Sequence, residues 1–162
     1  MDLMAYLNSA KNNIFRFEYF QCYADDNEAL EYWLKTNDVN QNDMREWWNF
    51  IEAKNKEGVK MSRVRRVLFP MNDYTKMELR IHELSNQRGD NVMIVLDDEF
   101  KKLNIIKKDF WLIDDEAVLE MNYSEDGYFL GFRADDNISE YINIREKLTN
   151  NSHIINDVIK LL

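Results

Sequence analysis

The stretch Arg63-Val64-Arg65-Arg66-Val67-Leu68-Phe69-Pro70 decides the fold class, because the chain changes there from helical to extended patterning. Its residues favour β-structure, alternate in part between polar and apolar side chains, and stop at a proline, which together predict a strand. A second strand is predicted at residues 92–96, a continuous apolar run typical of a strand covered on both faces. Between them, Asp73 can cap a helix over residues 74–88 that ends at Gly89. This strand–helix–strand unit predicts two parallel strands with a right-handed connection.

Residues 1–58, which precede this unit, are predicted to be mainly helical. Asp25 or Asp26 can cap a helix that begins near Asn27 and carries apolar residues at helical spacing. A second helix is predicted up to Gly58, which has the position of a C-terminal cap. The tryptophans of both helices follow the same spacing, and we interpret them as core residues.

The last third of the chain carries the pattern of an antiparallel meander followed by helices. Strands are predicted at residues 109–114, 117–123 and 128–133, with a hairpin turn at residues 125–127. Asn137 and Glu140 form a capping-box pattern at the start of one helix, and Ser152 can cap a short apolar helix. We therefore predict an α+β fold, in which N-terminal helices pack on a mixed, about five-stranded sheet with C-terminal helices.

The length of 162 residues predicts a single domain over residues 1–162. Its parts are a helical part (1–58), the strand–helix–strand unit with the meander and a helix (59–150), and a terminal helix (151–162). One cysteine excludes an internal disulfide framework, and no apolar run approaches the ~20 residues of a membrane-spanning helix. The first residues lack the basic start of a signal peptide. We therefore expect a cytoplasmic protein with no membrane association.

The net charge is −9, from 21 basic and 30 acidic residues. Nucleic-acid binders usually carry a basic excess that displaces counterions from phosphates, so direct nucleic-acid binding is not expected. The one basic stretch, residues 54–66, is interpreted either as a solvated strand edge or as a site for an anion or an acidic partner.

Residues with the chemistry for catalysis or metal binding are few. Cys22 lies in an aromatic-rich segment and is interpreted as a small buried residue, His82 as a surface or structural residue, and His153 as exposed. Acidic residues flank two predicted strands at Asp97-Asp98-Glu99 and at Asp109, Asp114 and Asp115. Clustered oxygens of this kind can bind Mg²⁺, but acids in such positions commonly form turns and caps. We predict no catalytic residue, no metal site and no cofactor.

The candidate binding residues are polar side chains on predicted strands and one predicted helix: Arg16, Glu18, Arg63, Arg65, Tyr74, Glu78, Asp109, Asp114 and Tyr123. Arg63 and Arg65 share a strand face because alternate residues point the same way. A buried arginine must be paired, and Glu78 or Asp109 is the expected partner. Two interpretations stay open: a buried salt-bridge network, or a polar pocket for a small anionic ligand or an acidic residue of a partner.

Three blocks of sequence resemble the bacterial DUF6879 family, a domain of uncharacterised function, from about Phe15 to Leu148. They are Phe15-Arg16-Phe17-Glu18 with Tyr23; Arg63-Val64-Arg65-Arg66-Val67 through Pro70 with Asp73-Tyr74 and Glu78-Leu79; and Asp109-Phe110-Trp111-Leu112 with Asp114-Asp115, Met121, Tyr123 and Asp126-Gly127. The resemblance implies a regulatory or accessory role, because family members look like companions of helix-turn-helix transcription regulators. It implies no catalytic residue. This chain departs from the family in its net charge, its Asn- and Lys-rich composition and its apolar tail, 152–162.

The segment from Arg63 to Leu148 also looks like half of a phospholipase-D-like domain. The chemistry of that family needs a His-x-Lys pair, in which the histidine is the nucleophile and the lysine grips the phosphate. Here His82 is followed by Glu83 and Leu84, and His153 by two isoleucines, so the pair is absent from the sequence.

Three functions remain open. We expect a non-catalytic regulatory or interaction protein that acts through a protein partner, as an accessory of a transcription regulator or a defence system. The first alternative is a small acidic inhibitor, an anti-defence protein or antitoxin, that occupies a basic groove by charge complementarity. The second is a phosphodiesterase-like hydrolase. The tail at residues 152–162 is the expected contact of a homodimer.

Overall fold

The computed structural model of the chain describes residues 1–161 and has the predicted α+β architecture, with seven strands in one mixed sheet rather than five. The helices are α1 (Leu3–Ser9), α2 (Asn27–Thr36), α3 (Gln41–Lys56), α4 (Asp73–Asn86), α5 (Asp97–Leu103), α6 (Ile138–Asn150) and α7 (Ile155–Ile159), with a short 3₁₀ turn at Ala24–Asp26 before α2. The strands are β1 (Asn13–Glu18), β2 (Lys60–Val67), β3 (Asp90–Leu96), β4 (Phe110–Ile113), β5 (Ala117–Tyr123), β6 (Phe129–Asp135) and β7 (His153–Ile154).

Strand β1 lies at the centre of the sheet, whose order is β6-β5-β4-β1-β2-β3-β7. It pairs in parallel with β2. Strand β2 in turn pairs in parallel with β3, the strand that follows helix α4, as the sequence predicts. On its other side β1 pairs antiparallel with β4, and β4, β5 and β6 form the antiparallel meander. The prediction of a helical part over residues 1–58 is therefore wrong at residues 13–18.

The sequence pattern missed β1 and β7 for different reasons. In β1 Phe15 and Phe17 alternate with Arg16 and Glu18, a short strand pattern that the helical prediction overlooked. The pattern indicates one solvated face, whereas both faces of the strand are buried. Strand β7 has two residues, too few to show any period. It pairs antiparallel with the edge of β3.

The sheet has an apolar core on each face. On one face, which we call the α4 face, Ile14, Met61 and Trp111 pack with residues of α1, α3 and α4. On the opposite face, the α6 face, Phe15, Phe17 and Phe110 pack with Phe100 of α5 and with Tyr141, Ile144 and Leu148 of α6. This alternation places Arg16 and Glu18, which lie between the phenylalanines of β1, on the α4 face.

Helices α2, α4 and α6 begin within a residue of their predicted starts, but α4 ends at Asn86 rather than at residue 88, and α7 begins at Ile155, three residues after the predicted cap at Ser152. Asn72, rather than Asp73, caps α4, and its Oδ1 accepts a hydrogen bond from the backbone N–H of Thr75 at 2.8 Å. Asn137 precedes α6, but its side chain donates to the Glu140 carboxylate at 2.5 Å instead of accepting from a helix N–H. The predicted capping box is therefore wrong in its hydrogen bonding.

The C-terminal segment is part of the fold. Ile155 and Val158 are buried against Val92 and Ile94 of β3, whereas Ile154 and Leu161 are exposed. Only the outward-facing side chains of residues 152–161 are therefore available for the predicted homodimer contact. Residue 162, which the prediction included, lies outside the described residues. Within residues 1–161, no helix combines the length and the apolar character needed to cross a membrane.

Candidate functional site

Four charged residues of β1 and β2 lie side by side beneath the helices of the α4 face. The parallel register places Arg16 beside Arg63 and Glu18 beside Arg65, and all four are buried. Arg65 has no exposed surface. Because buried charges are costly unless they are paired, the contacts of these residues decide whether the sheet is stable.

Glu18 is the centre of the cluster. Its Oε1 accepts a hydrogen bond from Arg63 Nη1, and its Oε2 lies 2.8 Å from Arg65 Nη1 and 3.2 Å from Nε2 of His82. Burial raises the pKa of this carboxyl, but the facing charges of Arg63, His82 and Arg65 outweigh burial and hold the pKa well below its usual range. Glu18 is therefore ionised in the folded protein.

Each arginine of β2 has a second acidic neighbour. Arg63 Nε donates to Asp90 Oδ2 at 3.1 Å, at the start of β3. Arg65 Nη1 lies 3.7 Å from Glu78 Oε2 on α4. Burial raises the pKa of Glu78 above its usual value, although Arg65 and His82 oppose this shift. The guanidinium groups thus join two strands to the crossover helix.

A second branch of the cluster joins β1 to the loop before β4. Arg16 Nη2 donates to Asp109 Oδ2 at 2.6 Å and to the Tyr123 hydroxyl at 3.0 Å. The Tyr23 hydroxyl donates to the same oxygen of Asp109 at 2.6 Å, and the backbone N–H of Tyr19 donates to its Oδ1 at 2.8 Å. Asp109 is fully buried, and its contacts hold the loop that leaves β1.

Aromatic rings surround the guanidinium groups. The Arg16 guanidinium lies 5.0 Å from the centre of the Trp111 ring, and Arg63 lies 5.7 Å from the Trp47 ring. Arg65 lies 5.7 Å from the ring of Tyr23. Such cation–π contacts are favourable within about 6 Å and are strongest where water is excluded.

A cavity of about 350 Å³ opens over this cluster. Its walls contain two guanidinium groups, four carboxylates and a set of aromatic and aliphatic side chains: Leu3, Arg16, Glu18, Tyr23, Asp25, Asp26, Trp47, Arg63, Glu78, Trp111, Met121, Tyr123 and Phe129. This volume lies within the range of ~300–1,000 Å³ that is usual for small-molecule sites.

The structure brings eight of the nine predicted binding residues into this cluster and leaves one outside. Tyr74 joins it through a hydrogen bond of 2.5 Å from its hydroxyl to Asp26, and through the ring face that it turns to Arg65. Asp114 is separate: its carboxylate accepts hydrogen bonds from the backbone N–H groups of residues 11–13 at 2.7–2.9 Å. Asp114 therefore ties the start of β1 to the β4–β5 turn.

Of the two carboxylates expected to pair with Arg63 or Arg65, Glu78 does pair with Arg65, whereas Asp109 pairs with neither. The sequence also missed several cluster members. The principal partner of both β2 arginines is Glu18, whereas Asp109 pairs with Arg16. The i, i+4 spacing of Glu78 and His82 could have revealed His82, which lies on the same helix face. Asp90, Asp26, Tyr23 and Trp111 carry no local signal, since tertiary pairing alone brings them to the arginines.

The other candidate residues lie outside the cluster. The thiol of Cys22 is exposed, so the interpretation of Cys22 as a buried residue is wrong. Asp97 pairs with Arg66 at 2.8 Å and Asp115 pairs with Arg145, so these acids serve as ion-pair partners. His153 is exposed, as predicted, and contacts Glu99 at 2.8 Å.

Glu18, Glu78 and His82 place three atoms capable of metal binding within 4.8 Å of one another. Both oxygens of Glu18 already face guanidinium groups. A divalent cation there would lie against two positive charges, so this arrangement suits a salt-bridge network better than a metal site.

Comparison with models of protein families matches residues 1–157 to a domain of unknown function, DUF6879. The match extends beyond the predicted limits of Phe15 and Leu148 and includes part of the tail. Among solved structures, the chain is similar to Nuc, a phospholipase D family member from Salmonella typhimurium, with a TM-score of 0.53 and 12% identity. The likeness covers 93% of this chain and 86% of that chain, so it extends beyond the predicted segment from Arg63 to Leu148. It concerns the fold alone. No curated protein matches the chain.

Proposed function

The chain belongs to the DUF6879 family, and from that premise we propose that it is a non-catalytic regulatory protein that acts through a protein partner bound along strand β6. The partner is a component of a transcription-regulatory system, as the family resemblance implies, or of a defence system. The proposal depends chiefly on one observation, the exposed apolar edge of the sheet.

Strand β6 forms one end of the sheet and, within residues 1–161, pairs with β5 alone. Tyr128, which precedes this strand, is 51% exposed, and Phe129 and Leu130, which open it, are 41% and 69% exposed. The strand contains no proline, but Arg133 and Asp135 charge its second half and a bulge in the β5–β6 pairing interrupts it, so the apolar first half is the part that is open to a partner. An extended segment of a partner can add to such an edge through backbone hydrogen bonds and gain specificity from the side chains.

The polar cluster supports the non-catalytic part of the proposal. Phospholipase-D-like chemistry needs a His-x-Lys pair, and neither His82 nor His153 has the lysine. Three buried guanidinium groups, those of Arg16, Arg63 and Arg65, are each held by a carboxylate. Charges that are neutralised by close pairing stabilise a fold, and they leave no activated nucleophile.

The test compares Leu130→Asp with Leu34→Asp, a matched control at a leucine of α2 that is 61% exposed and lies outside β6. Proteins crosslinked to each variant in the native host are quantified by mass spectrometry, and the partner is then purified and titrated. We expect the wild-type protein and the control to bind it equally, and Leu130→Asp to bind it at least about tenfold more weakly.

Equal binding by Leu130→Asp would contradict the proposed edge. The salt dependence of the purified complex distinguishes the remaining alternative. An apolar and backbone-mediated contact keeps its affinity in high salt, whereas an acidic inhibitor in a basic groove loses affinity steeply. A steep loss would overturn the proposal in favour of the acidic inhibitor.

A further inference from the structure

A second cavity lies beside the start of strand β6, next to the edge proposed for the partner. Its volume is about 400 Å³, and its wall includes the rings of Tyr23, Tyr74 and Tyr128 together with the Asp126 carboxylate. Tyr128 immediately precedes β6, so it belongs both to the cavity wall and to the exposed end of the sheet. The cavity is therefore continuous with the proposed partner surface.

The β5–β6 turn is held against the segment that precedes helix α2, which brings the two sides of the cavity together. The backbone N–H of Ala24 donates to the Gly127 carbonyl oxygen at 3.1 Å. A Cβ at Gly127 would lie 3.6 Å from the Cα of Tyr23. Asp126 and Tyr128, the two chain neighbours of Gly127, therefore lie beside Tyr23.

The tyrosines of the wall offer aromatic faces to a cation. The ring centres of Tyr23 and Tyr74 lie 6.5 Å apart, and both rings already contact the guanidinium of Arg65, at 5.7 and 5.9 Å. That guanidinium is in turn paired with Glu18 at 2.8 Å. Tyr74 is nearly buried, whereas Tyr128 is 51% exposed and its ring is accessible to a ligand. A cation within about 6 Å of such a ring is attracted by its negative face.

The surroundings of this cavity are acidic. Within the part of the chain that the structure describes, its wall contains one carboxylate, Asp126, and no lysine, arginine or histidine. Asp126 is exposed and forms no ion pair within residues 1–161. The segments that supply Tyr23 and Tyr128, residues 17–34 and 109–132, carry acidic residues but no lysine, arginine or histidine. Charge complementarity therefore favours a basic group as the occupant.

We propose that this cavity binds a basic side chain, lysine or arginine, of the partner segment that pairs with β6. The inference rests on the proposed function, since the segment must lie along β6 for its side chain to reach the cavity. A segment paired with Phe129 and Leu130 and continued by one or two residues passes beside Tyr128. Its cation then lies against the tyrosine rings with Asp126 as the counter-ion. A single ion pair of this kind adds only a shallow salt dependence to the complex.

The test of the cavity uses the Nα-acetyl amides of arginine and lysine as probes and needs no partner. Titration of ¹⁵N-labelled protein should give saturable shifts of the backbone N–H resonances of Asp126 and Tyr128. The corresponding amides of citrulline and norleucine have similar shapes without the charge, and they should bind about tenfold more weakly. An absence of shifts with both basic probes, or equal binding of the neutral analogues, would overturn the proposal.

Two variants test the residues of the wall. Asp126→Asn removes the counter-ion and Tyr128→Leu removes the ring, and each should weaken binding of the basic probe about two- to fivefold. The matched controls are Glu125→Gln and Tyr32→Leu. Glu125 and Tyr32, which is 40% exposed on α2, do not line the cavity, so both controls should change the affinity less than about twofold. Equal affinities in variants and controls would contradict the proposed site.

The purified partner provides the second readout. Asp126→Asn should lower the affinity for the partner and Glu125→Gln should not, and an unaffected Asp126→Asn complex would overturn this inference. Leu130 does not line the cavity, so Leu130→Asp should bind the probe like the wild-type protein. Probe binding with an unchanged affinity of Leu130→Asp for the partner would overturn the proposed edge. Loss of the partner in Leu130→Asp without any probe binding would overturn the cavity site alone.

Discussion

The Nη1 atom of Arg65 lies 2.8 Å from Oε2 of Glu18, and the arginine side chain has no exposed surface. The two residues are paired in the parallel register of β1 and β2, so the contact joins the central strand to its neighbour on the α4 face. With Glu78 and His82 it also fixes helix α4 to the sheet. The α4 face thus contains an ionic cluster beside its apolar core.

Removal of this arginine should destabilise the protein strongly. Arg65→Met keeps the length of the side chain but leaves the buried Glu18 and Glu78 without one of their cations, which costs about 3–5 kcal/mol. Urea unfolding measures the change in the free energy of unfolding. Arg80→Met is the control, because Arg80 is 42% exposed in its pair with Glu83 and should contribute less than about 1 kcal/mol. Equal losses in the two variants would show that the buried pair is not structural.

Glu18 predicts how stability depends on pH. Its folded pKa lies well below the ordinary value of 4.5, since Arg63, His82 and Arg65 outweigh burial. A carboxyl whose pKa is lower in the folded chain stabilises the fold above the unfolded pKa, and this contribution is lost as the pH falls toward the folded pKa. We expect the ¹³C carboxyl resonance of Glu18 to keep its ionised shift well below pH 4.5. Titration at or above that value would contradict the pairing.

Replacement of Gly89 by alanine should destabilise the protein more than the same replacement of Gly58. Its φ is +112°, and a Cβ at this position would overlap the side-chain amide of Asn55. Gly58 has a φ of +85° and open space around the same position. Gly58→Ala should therefore cost only the backbone strain, roughly 1–2 kcal/mol, and Gly89→Ala clearly more.

Thermal and urea unfolding of both glycine variants measure this difference. The double variant Asn55→Gly/Gly89→Ala removes the overlap and should regain part of the lost stability. Similar losses for Gly58→Ala and Gly89→Ala would mean that Asn55 moves aside freely.

The C-terminal segment offers a comparison between neighbouring residues. Ile155 has no exposed surface, whereas Ile154 is 63% exposed. Ile155→Ala should lower the free energy of unfolding by about 2–5 kcal/mol, because it leaves a cavity beside β3. Ile154→Ala should change it by no more than about 0.5 kcal/mol.

Light scattering on Ile154→Asp tests the predicted dimer contact at residues 152–162. If the contact exists, the variant should have a lower mass in solution than the wild-type protein.

The strand–helix–strand unit and the meander could be predicted because their signals are local. Strand β3 is an apolar run, and α4 has apolar residues at helical spacing between a cap and a glycine. Strand β2 was shifted, since it begins at Lys60 and ends at Val67, before the exposed Phe69. Strand β1 has a short alternation of aromatic and charged residues, but the burial of Arg16 and Glu18 could not be predicted, because it depends on partners in distant parts of the chain.

In the candidate site, too, local patterns could be predicted and long-range pairing could not. Alternation along β2 correctly placed Arg63 and Arg65 on one face, and helical spacing placed Tyr74 and Glu78 near them. The expected partner Glu78 is confirmed for Arg65, but Glu18 was missed and Asp109 was assigned to the wrong arginine, because these pairings depend on the neighbours of β2 in the sheet. Trp111 illustrates the limit: its cavity position follows from the pairing of β4 with β1, which no local pattern of the sequence encodes.

The central position of β1 has a consequence for how the protein is made. Glu18 pairs with Arg65, which lies 47 residues later in the chain, and Arg16 pairs with Asp109, which lies 93 residues later. Closing such long loops costs chain entropy before any contact repays it, and a high contact order slows folding. On the ribosome, β1 can pair with β2 first, but Phe15 and Phe17 lack Phe110, their neighbour in the core of the α6 face, until about two thirds of the chain has been synthesised.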